Sequence, residues 1–462
     1  GRATHSNPNH IGNMSINRYI QPHPFPPRPV TANVADAGLR RYLEPMHEAA
    51  NAEQHQPQQR RPRLIVPDLA RGTALLGIAM ANAAQAWVIN DWSEDQSRVG
   101  WSVGGVRPDS VIDQVSAVFA AMFIHVRGLP MFSTLLGFGF GLVAASLYRK
   151  HYPAKQARRV LYRRYGALAL FGAAHMFLLF YGDIMFNYGL VGILLAAMLT
   201  LSSKTLRIIA YTILGLFTAF GVAGGIASFY FDASGGFNQT EPTATFDTFG
   251  EYFSSNLDMA LGLLAVQPFS AVQLLSLAII GYVWAREQVL TDVHAHRRTL
   301  ITWSIITGLI VLCVGLPWGL AAAGVLPDEW ELPLFVLNQA LGYLTGPGIL
   351  ALLALATDEL NNQVPGWARA FVALGKRSMS GYLAQSFFFI AICTPAFLGI
   401  GLDASVTGKL IIGFVVWLIS LLLAVVLDRA GKQGPFEWAH RHLSYGKTGR
   451  IEPKYDQPQI TA

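Results

Sequence analysis

Long uncharged apolar runs, separated by short polar or charged segments, dominate the pattern of hydrophobic and polar positions along this chain. Residues 165–182 contain no Asp, Glu, Lys or Arg, and neither do residues 184–203. A helix needs about 18 or more such residues to cross a bilayer, and the runs are continuous, whereas a barrel would require alternation. The pattern therefore predicts an all-α, polytopic helical bundle in a membrane.

Ten of these runs are predicted to be crossings. They lie near residues 64–89, 129–147, 165–182, 184–202, 206–229, 259–284, 300–324, 333–357, 378–398 and 407–427. Loops rich in Lys and Arg are expected on the cytoplasmic side of a membrane. Such loops alternate here with acidic ones, and the basic set comprises residues 60–63, 148–164, 202–207, 284–298, 366–377 and the C-terminal HRHLSYGKTGR. The alternation predicts a multi-pass cell-membrane protein with both termini in the cytoplasm.

One further segment, residues 111–126, does not fit this alternation as a crossing of its own. A complete crossing there would place the basic loop 148–164 on the outer side. Asp113, Gln114 and His125 give the segment a polar character that suits a re-entrant or interfacial helix. We therefore predict such a helix. A full crossing is the alternative if another boundary is misplaced.

Composition agrees with a membrane protein. Hydrophobic residues make up 52% of the chain and charged residues 13%, against about a quarter in soluble domains. The net charge of +6 arises at the ends of apolar runs, so it indicates membrane orientation and not nucleic-acid binding. Cys313 and Cys393 lie within apolar runs and predict neither a disulfide framework nor a metal site. A Pro-rich, disordered cytoplasmic tail is predicted over 1–62, a transmembrane domain over 63–446 and a short polar tail over 447–462.

His175 and Asp183 are the most unusual polar residues in the apolar runs. His175 lies eleven residues after Arg164, or about 16 Å along a helix, and Asp183 precedes a run that begins with Asn187 and Tyr188. A carboxylate near an imidazole fixes its tautomer and raises its basicity. This arrangement suits a general base for a hydroxyl or amine and, equally, a proton relay in a transporter. We expect a polar cavity here that opens to the outer face.

Two other groups of residues in the apolar runs suggest structural roles, and the first of them also fits a binding site. Asp68 and Arg71 are three residues apart and share a helix face, which fits a structural ion pair or an anion or substrate site. Gly137, Gly139 and Gly141 are typical of close packing between membrane helices.

A stripe of polar residues follows the basic pair Lys376 and Arg377. Spacings of three and four place several of its members on one helix face, and they are Ser378, Ser380, Tyr382, Gln385 and Ser386. The stripe fits hydrogen bonds between helices or a substrate-binding surface.

Taken in order, these motifs resemble the DUF418, or YeiB-like, family of membrane proteins over residues 63 to about 446. The elements that carry the resemblance are Arg63 with Asp68–Gly72 and Asn82, FSTLLGFGFG at 132–141, His175 with Asp183, Ile184 and Tyr188, Gly375 with Ser378, Tyr382, Gln385 and Ser386, and Gly434 with Pro435, Glu437, Trp438 and Arg441. Pro67 and Leu136 depart from the family pattern, but neither touches the His–Asp element.

The family is similar to transmembrane acyltransferases such as heparan-α-glucosaminide N-acetyltransferase. The resemblance implies transfer of an acyl group from a cytoplasmic donor, such as acyl-CoA, to a cell-envelope sugar or lipid-linked acceptor at the outer face. His175 would be the general base and Asp183 would orient it. Arg71, or Lys376 and Arg377, would meet the anionic donor.

Two other functions fit the sequence. One is a proton-coupled transporter or flippase of an envelope precursor, and the other is a non-catalytic membrane partner. We expect no bound cofactor, no metal and no nucleic-acid partner. The expected partners are membrane lipid, the acyl donor and the envelope acceptor, and a homodimer is left open.

Overall fold

The computed structural model describes residues 64–87, 99–230, 246–361 and 364–454, and these residues form an all-helical bundle. The prediction of an all-α fold is confirmed for this part of the chain. Three segments lie outside the described residues. They are the predicted N-terminal tail, an acidic stretch at 90–97 and the end of the C-terminal tail. No strand occurs among the residues that are described.

The helices follow one another with short connections. Their bounds are α1 (Val66–Asn82), α2 (Val111–Phe119), α3 (Gly128–Arg149), α4 (Ala154–Leu178), α5 (Met185–Ala197), α6 (Ser203–Ala227), α7 (Phe249–Leu263), α8 (Gln267–Arg286), α9 (Arg297–Ile310), α10 (Leu316–Ala322), α11 (Glu331–Leu341), α12 (Thr345–Thr357), α13 (Gly366–Lys376), α14 (Ser378–Cys393), α15 (Val406–Arg429) and α16 (Pro435–Tyr445). Wider π-type turns extend α1, α2 and α9 at Ala83–Trp87, Ala120–Ile124 and Val311–Gly315.

Within the described ranges, six helical segments are long and apolar enough to cross a membrane. They are Val111–Arg149, Ser203–Ala227, Gln267–Arg286, Arg297–Ala322, Asp328–Thr357 and Val406–Arg429. Helices α5 and α14 are apolar but shorter. The bundle is thus that of a polytopic membrane protein, as predicted, whereas the predicted count of ten crossings is not confirmed. One predicted boundary also changes, because the predicted run 259–284 includes a turn between α7 and α8.

The prediction of a re-entrant or interfacial helix at residues 111–126 stays a prediction, but the structure shows how this segment packs and continues. Helix α2 runs alongside α10 in the opposite direction, with Val118 against Gly319 and Met122 against Gly315. The chain then breaks at Val126, where φ is 57°, and continues as α3. The segment is therefore the first part of one broken helical stretch, since apolar residues continue across the break.

Glycines allow the helices to approach closely where α3 meets α8. A Cβ on Gly137 would lie 1.7 Å from the Ala278 carbonyl oxygen, and one on Gly281 would lie 1.9 Å from the Thr134 carbonyl oxygen. Both contacts are far below van der Waals distance, so neither position accepts a side chain. The predicted packing role of Gly137 is confirmed. The adjacent α4 and α5 approach in the same way, with Gly172 against the Phe186 backbone.

The polar connections gather at two ends of the bundle. At one end, Arg107 donates to the Asp403 carbonyl at 2.6 Å, and Asp113 accepts from Ser405 at 2.6 Å. Asp403 and Ser405 belong to the connection between α14 and α15, which is predicted to face outward. At the other end, Arg286 donates to the Leu199 carbonyl at 2.7 Å, so two connections predicted to be cytoplasmic also meet.

Candidate functional site

An imidazole–carboxylate pair lies at the turn that joins α4 and α5. His175 is in the last turn of α4, and Asp183 stands two residues before α5. His175 Nδ1 and Asp183 Oδ2 are 2.6 Å apart, and the two side chains are 1% and 0% exposed. Asp183 Oδ1 accepts the Phe186 N–H at 2.7 Å. The carboxylate is thus fixed by the start of α5 as well as by the imidazole.

The other imidazole nitrogen faces a serine hydroxyl from α14. His175 Nε2 lies 2.8 Å from Ser386 Oγ, and Ser386 is 3% exposed. The carboxylate favours the tautomer with a proton on Nδ1, because that N–H then donates to Asp183. Nε2 is then free to accept the Ser386 O–H. The three side chains form a carboxylate–imidazole–hydroxyl relay, which is the arrangement that activates a hydroxyl for nucleophilic attack.

Helix α14 carries two further buried polar side chains, of which one lies beside this relay. The Tyr382 ring lies 5.3 Å from the His175 ring, and its buried hydroxyl approaches the Ile184 backbone without a regular hydrogen bond to the described residues. Gln385 Nε2 lies 3.5 Å from the Leu75 carbonyl oxygen, which is a weak contact to α1. The structure therefore brings Tyr382 and Ser386 together with the His–Asp pair, whereas Gln385 contacts α1.

Aromatic side chains cover one side of the relay. Trp87 stacks on Phe180 at 4.6 Å and on Phe389 at 5.4 Å, and Tyr252 lies 6.1 Å from Trp87. Phe180 in turn meets the His175 ring edge-on at 6.3 Å. The sequence predicts an open polar cavity here. The structure instead buries the pair, because the turn after α4 carries aromatic residues that fold over it.

Asn256 of α7 holds the turn that carries Asp183. Its Oδ1 accepts the Tyr181 N–H at 2.6 Å, and its Nδ2 donates to the carbonyls of Met176 and Phe177 at 3.1 and 3.2 Å. Asn256 is 3% exposed. One side chain thus connects the end of α4 to the turn, and so fixes the positions of the imidazole and the carboxylate relative to each other.

Asn187 and Tyr188 lie on α5, near the pair but without contact to His175. Asn187 Nδ2 donates to Gln267 Oε1, and its own Oδ1 has no hydrogen-bond partner among the described residues. Tyr188 donates to the Leu129 carbonyl at 3.1 Å and stacks on Phe132 at 5.4 Å. Tyr188 therefore joins α5 to α3, whereas Asn187 keeps an unused acceptor.

Asp68 and Arg71 form the ion pair that their spacing allows, with 3.1 Å between Asp68 Oδ1 and an Arg71 guanidinium nitrogen. Gly139 leaves room for Arg71, since a Cβ there would stand 3.1 Å from the guanidinium. Asp68 lies seven residues, or about 10 Å along α1, before Leu75, which Gln385 contacts. The pair is thus in the first turns of α1, at the end predicted to be cytoplasmic, and apart from the relay.

The basic pair before α14 separates into one structural and one exposed residue. Arg377 donates to Asp428 at 2.8 Å and to the Lys432 carbonyl at 3.1 Å, so it joins the start of α14 to the end of α15. Lys376 is exposed, and Ser378 is part-buried at the first position of α14. The structure does not bring these three residues into contact with His175.

Helix α16 caps the helix that carries Ser386. Glu437 accepts the N–H groups of Met379 and Ser380 at 2.8 and 3.0 Å, and the Ser380 hydroxyl at 2.5 Å. These N–H groups belong to the first turn of α14, where backbone N–H groups have no acceptor within the helix. The positive end of the helix dipole also stabilises a carboxylate at this position. Glu437 therefore fixes the start of α14.

The same helix also contacts α4, which carries His175. His440 Nε2 donates to the Arg164 carbonyl at 2.9 Å, and Arg164 donates to the Tyr445 hydroxyl at 2.7 Å. Burial, together with the nearby Arg164 charge, lowers the pKa of His440 to about 4. Helix α16 thus links the two helices that supply the imidazole and the hydroxyl of the relay.

Sequence reasoning did not identify Asn256, Trp87 or Glu437 as site residues. Asn256 lies just before the predicted crossing 259–284, so its position within a helix was not foreseen. Glu437 belongs to the G-P-x-E-W element, and that element was the available signal. Among the residues that the structure describes, no group of three or more His, Cys, Asp or Glu side chains is placed to hold a metal ion.

Comparison with known proteins agrees with the motifs. Residues 284–447 match the family model described as a protein of unknown function, DUF418. The chain is 26% identical over 419 residues to the uncharacterized protein YxaH of Bacillus subtilis (strain 168), covering 84% of this chain and 96% of that protein. It is 24% identical over 422 residues to the uncharacterized protein YeiB of Escherichia coli (strain K12), covering 84% and 97% respectively.

The matched range contains Tyr382, Gln385, Ser386 and the Glu437 cap, while His175 and Asp183 lie before it. Both relatives align over nearly their whole length, so the likeness also includes the α4–α5 region. These matches confirm the resemblance of the chain to the DUF418, YeiB-like membrane proteins that its motifs predict.

Proposed function

We propose that this protein is a membrane acyltransferase that moves an acyl group from a cytoplasmic donor to a hydroxyl on a cell-envelope sugar or lipid-linked acceptor. The observation that carries the proposal is the position of His175 Nε2, which lies 2.8 Å from a hydroxyl oxygen while Asp183 holds the opposite nitrogen. A base aimed at a hydroxyl is the central requirement of acyl transfer to oxygen.

Asp183 contributes to this chemistry by positioning His175. It selects the tautomer that leaves Nε2 as the acceptor, and its negative charge stabilises the imidazolium that forms when a hydroxyl is deprotonated. Burial strengthens this interaction because little water competes for the carboxylate. His175 can thus accept a proton from the attacking hydroxyl and return it to the leaving group.

The cytoplasmic end of the bundle offers cations for an anionic donor. Arg71 lies within electrostatic range of Arg164, and its side chain is 25% exposed although it also pairs with Asp68. Lys376 is exposed at the same predicted boundary. Arg377 is engaged by Asp428, so we assign donor contact to Arg71 and Lys376 in preference to Arg377. An acyl-CoA fits this end of the protein because its phosphates are anionic.

A proton-coupled transporter is the second candidate, and the complete burial of His175 and Asp183 favours it. A relay sealed from water can hold and release one proton per transport cycle. The two functions predict different losses when the imidazole is removed. Only an acyltransferase loses covalent acylation of the envelope, whereas only a transporter loses proton-linked flux.

The test is a His175→Gln variant assayed for envelope acylation in cells. Glutamine keeps the size and some of the hydrogen bonding but cannot act as a base near neutral pH, so turnover should fall on the order of 10²–10⁴-fold. Asp183→Asn should lose less, because it only misorients the imidazole. His294→Gln is the matched control, since this side chain is 87% exposed at a distant loop. Full acylation by His175→Gln at normal membrane abundance would refute the proposal.

A further inference from the structure

We propose that Ser386 is the nucleophile of this site and carries the acyl group covalently during transfer. The inference rests on the proposed acyl-transfer function. Its geometric basis is the complete relay, in which Asp183 Oδ2, the His175 ring and Ser386 Oγ are joined by distances of 2.6 and 2.8 Å. A serine hydroxyl hydrogen-bonded to an oriented imidazole is the usual structural signature of an activated nucleophile.

Ser386 differs from several other serines within the helices of this chain. A serine in an apolar helix usually satisfies its hydroxyl by donating to the carbonyl four residues earlier. Serines that do so here include Ser133, Ser304, Ser420 and Ser444, with distances of 3.0, 2.8, 3.0 and 2.6 Å. Ser386 is directed to His175 instead. A purely structural serine would not need an imidazole that is itself held by a carboxylate.

The chemistry balances in two half-reactions. In the first, the Ser386 hydroxyl attacks the carbonyl carbon of an acyl thioester, His175 takes the hydroxyl proton, and the thiolate leaves with that proton as a thiol. In the second, the acceptor hydroxyl attacks the acyl-serine, His175 takes its proton, and the Ser386 oxygen leaves with that proton. The acyl group moves from sulfur to serine oxygen and then to acceptor oxygen, with no redox change.

Tyr382 is placed to assist both half-reactions. It lies one helical turn before Ser386, on the same face of α14, and its hydroxyl makes no regular hydrogen bond to the described residues although it is buried. A free O–H beside the nucleophile can donate to the carbonyl oxygen as negative charge develops there. Tyr382 thus completes the set of nucleophile, base, positioning carboxylate and oxyanion donor.

A tagged ethoxy fluorophosphonate tests the inference on purified full-length protein in detergent, because this reagent modifies activated serines whatever their natural donor. We expect covalent label on the peptide that contains Ser386, no label in Ser386→Ala, and labelling slowed about 100-fold or more in His175→Gln. Ser420→Ala is the matched control and should label as the wild type does. Trp87→Ala is labelled in parallel, because removing this side chain opens the aromatic cover. Absence of label in both wild type and Trp87→Ala would overturn the inference.

Envelope acylation by the same variants separates this inference from the function on which it rests. Loss of acylation in both Ser386→Ala and His175→Gln supports a covalent intermediate. Acylation that persists in Ser386→Ala but is lost in His175→Gln would overturn the nucleophile and leave the acyltransferase intact, with transfer direct from donor to acceptor. Label on Ser386 without any effect of either variant on acylation would keep the nucleophile and overturn the proposed function.

Discussion

Replacing Asn256 by leucine should disturb the candidate site although Asn256 touches none of the relay atoms. The leucine side chain is close to asparagine in shape but makes none of its hydrogen bonds. Those bonds hold the Tyr181 N–H at 2.6 Å and the Met176 carbonyl at 3.1 Å. The substitution therefore releases the turn that carries Asp183 from the end of α4.

The stability change depends on the groups left without partners. A buried donor without a partner costs about 1–3 kcal/mol, and each lost hydrogen bond contributes about 1 kcal/mol net. Because Asn256 is 3% exposed, water does not readily replace it. We expect a loss of about 2–4 kcal/mol in unfolding free energy. The helix carbonyls of Met176 and Phe177 keep their place in α4, so the Tyr181 N–H accounts for most of this loss.

The activity change should exceed the loss that partial unfolding explains. A displacement of about 1 Å between catalytic groups can reduce the rate on the order of 100-fold. We expect fluorophosphonate labelling of folded Asn256→Leu to slow about 10- to 100-fold, measured below its unfolding temperature. Asn338→Ala is the control, since Asn338 is buried but accepts from Arg127 at 2.8 Å away from the relay. Wild-type labelling by Asn256→Leu, or equal slowing in Asn338→Ala, would refute the reasoning.

Three other predictions concern the helix cap, pH and topology. Glu437→Ala removes three hydrogen bonds from the start of α14 and should cost about 3–5 kcal/mol of unfolding free energy in detergent. Glu329→Ala is the control and should cost under about 1 kcal/mol, because Glu329 is exposed. The pKa of His440 is about 4 in the folded protein and about 6.5 in the unfolded chain. Its contribution to the unfolding free energy is therefore complete above pH 6.5 and falls by up to about 3 kcal/mol as the pH drops to 4. The unfolding temperatures of His440→Gln at pH 5 and pH 7.5 should consequently differ less than those of the wild type. In a cysteine-free background, a cysteine at Lys155 should be protected from an impermeant reagent in whole cells and one at Asp403 should react, whereas the opposite pattern would reverse the proposed orientation.

The fold class was predictable because bilayer physics acts on composition alone. Apolar runs of sufficient length must be helices there, since every backbone polar group needs a partner within its own segment. The exact path was not predictable in the same way. Residues 111–126 have a polar pattern typical of an interfacial helix, and the structure packs them against α10, a contact that no local pattern encodes.

The members of the site were predictable, but their assembly was not. His175 and Asp183 are eight residues apart, so a turn between helices can bring them together, and the sequence predicts this. Ser386 is 211 residues from His175, and only the arrangement of α4 against α14 joins them. Periodicity places Ser386 on a polar helix face. It does not show which helix that face meets.

Helix α16 gives a physical reason for motifs so distant in the sequence to occur together. Glu437 fixes the start of α14, and His440 is bonded to the backbone of α4, so one amphipathic helix sets the spacing of the two helices that supply the hydroxyl and the imidazole. Hydrogen bonds of 2.6 and 2.8 Å on the two sides of one imidazole tolerate little relative movement of those helices. A helix near the predicted cytoplasmic boundary can therefore be as necessary to a buried relay as the residues that form it.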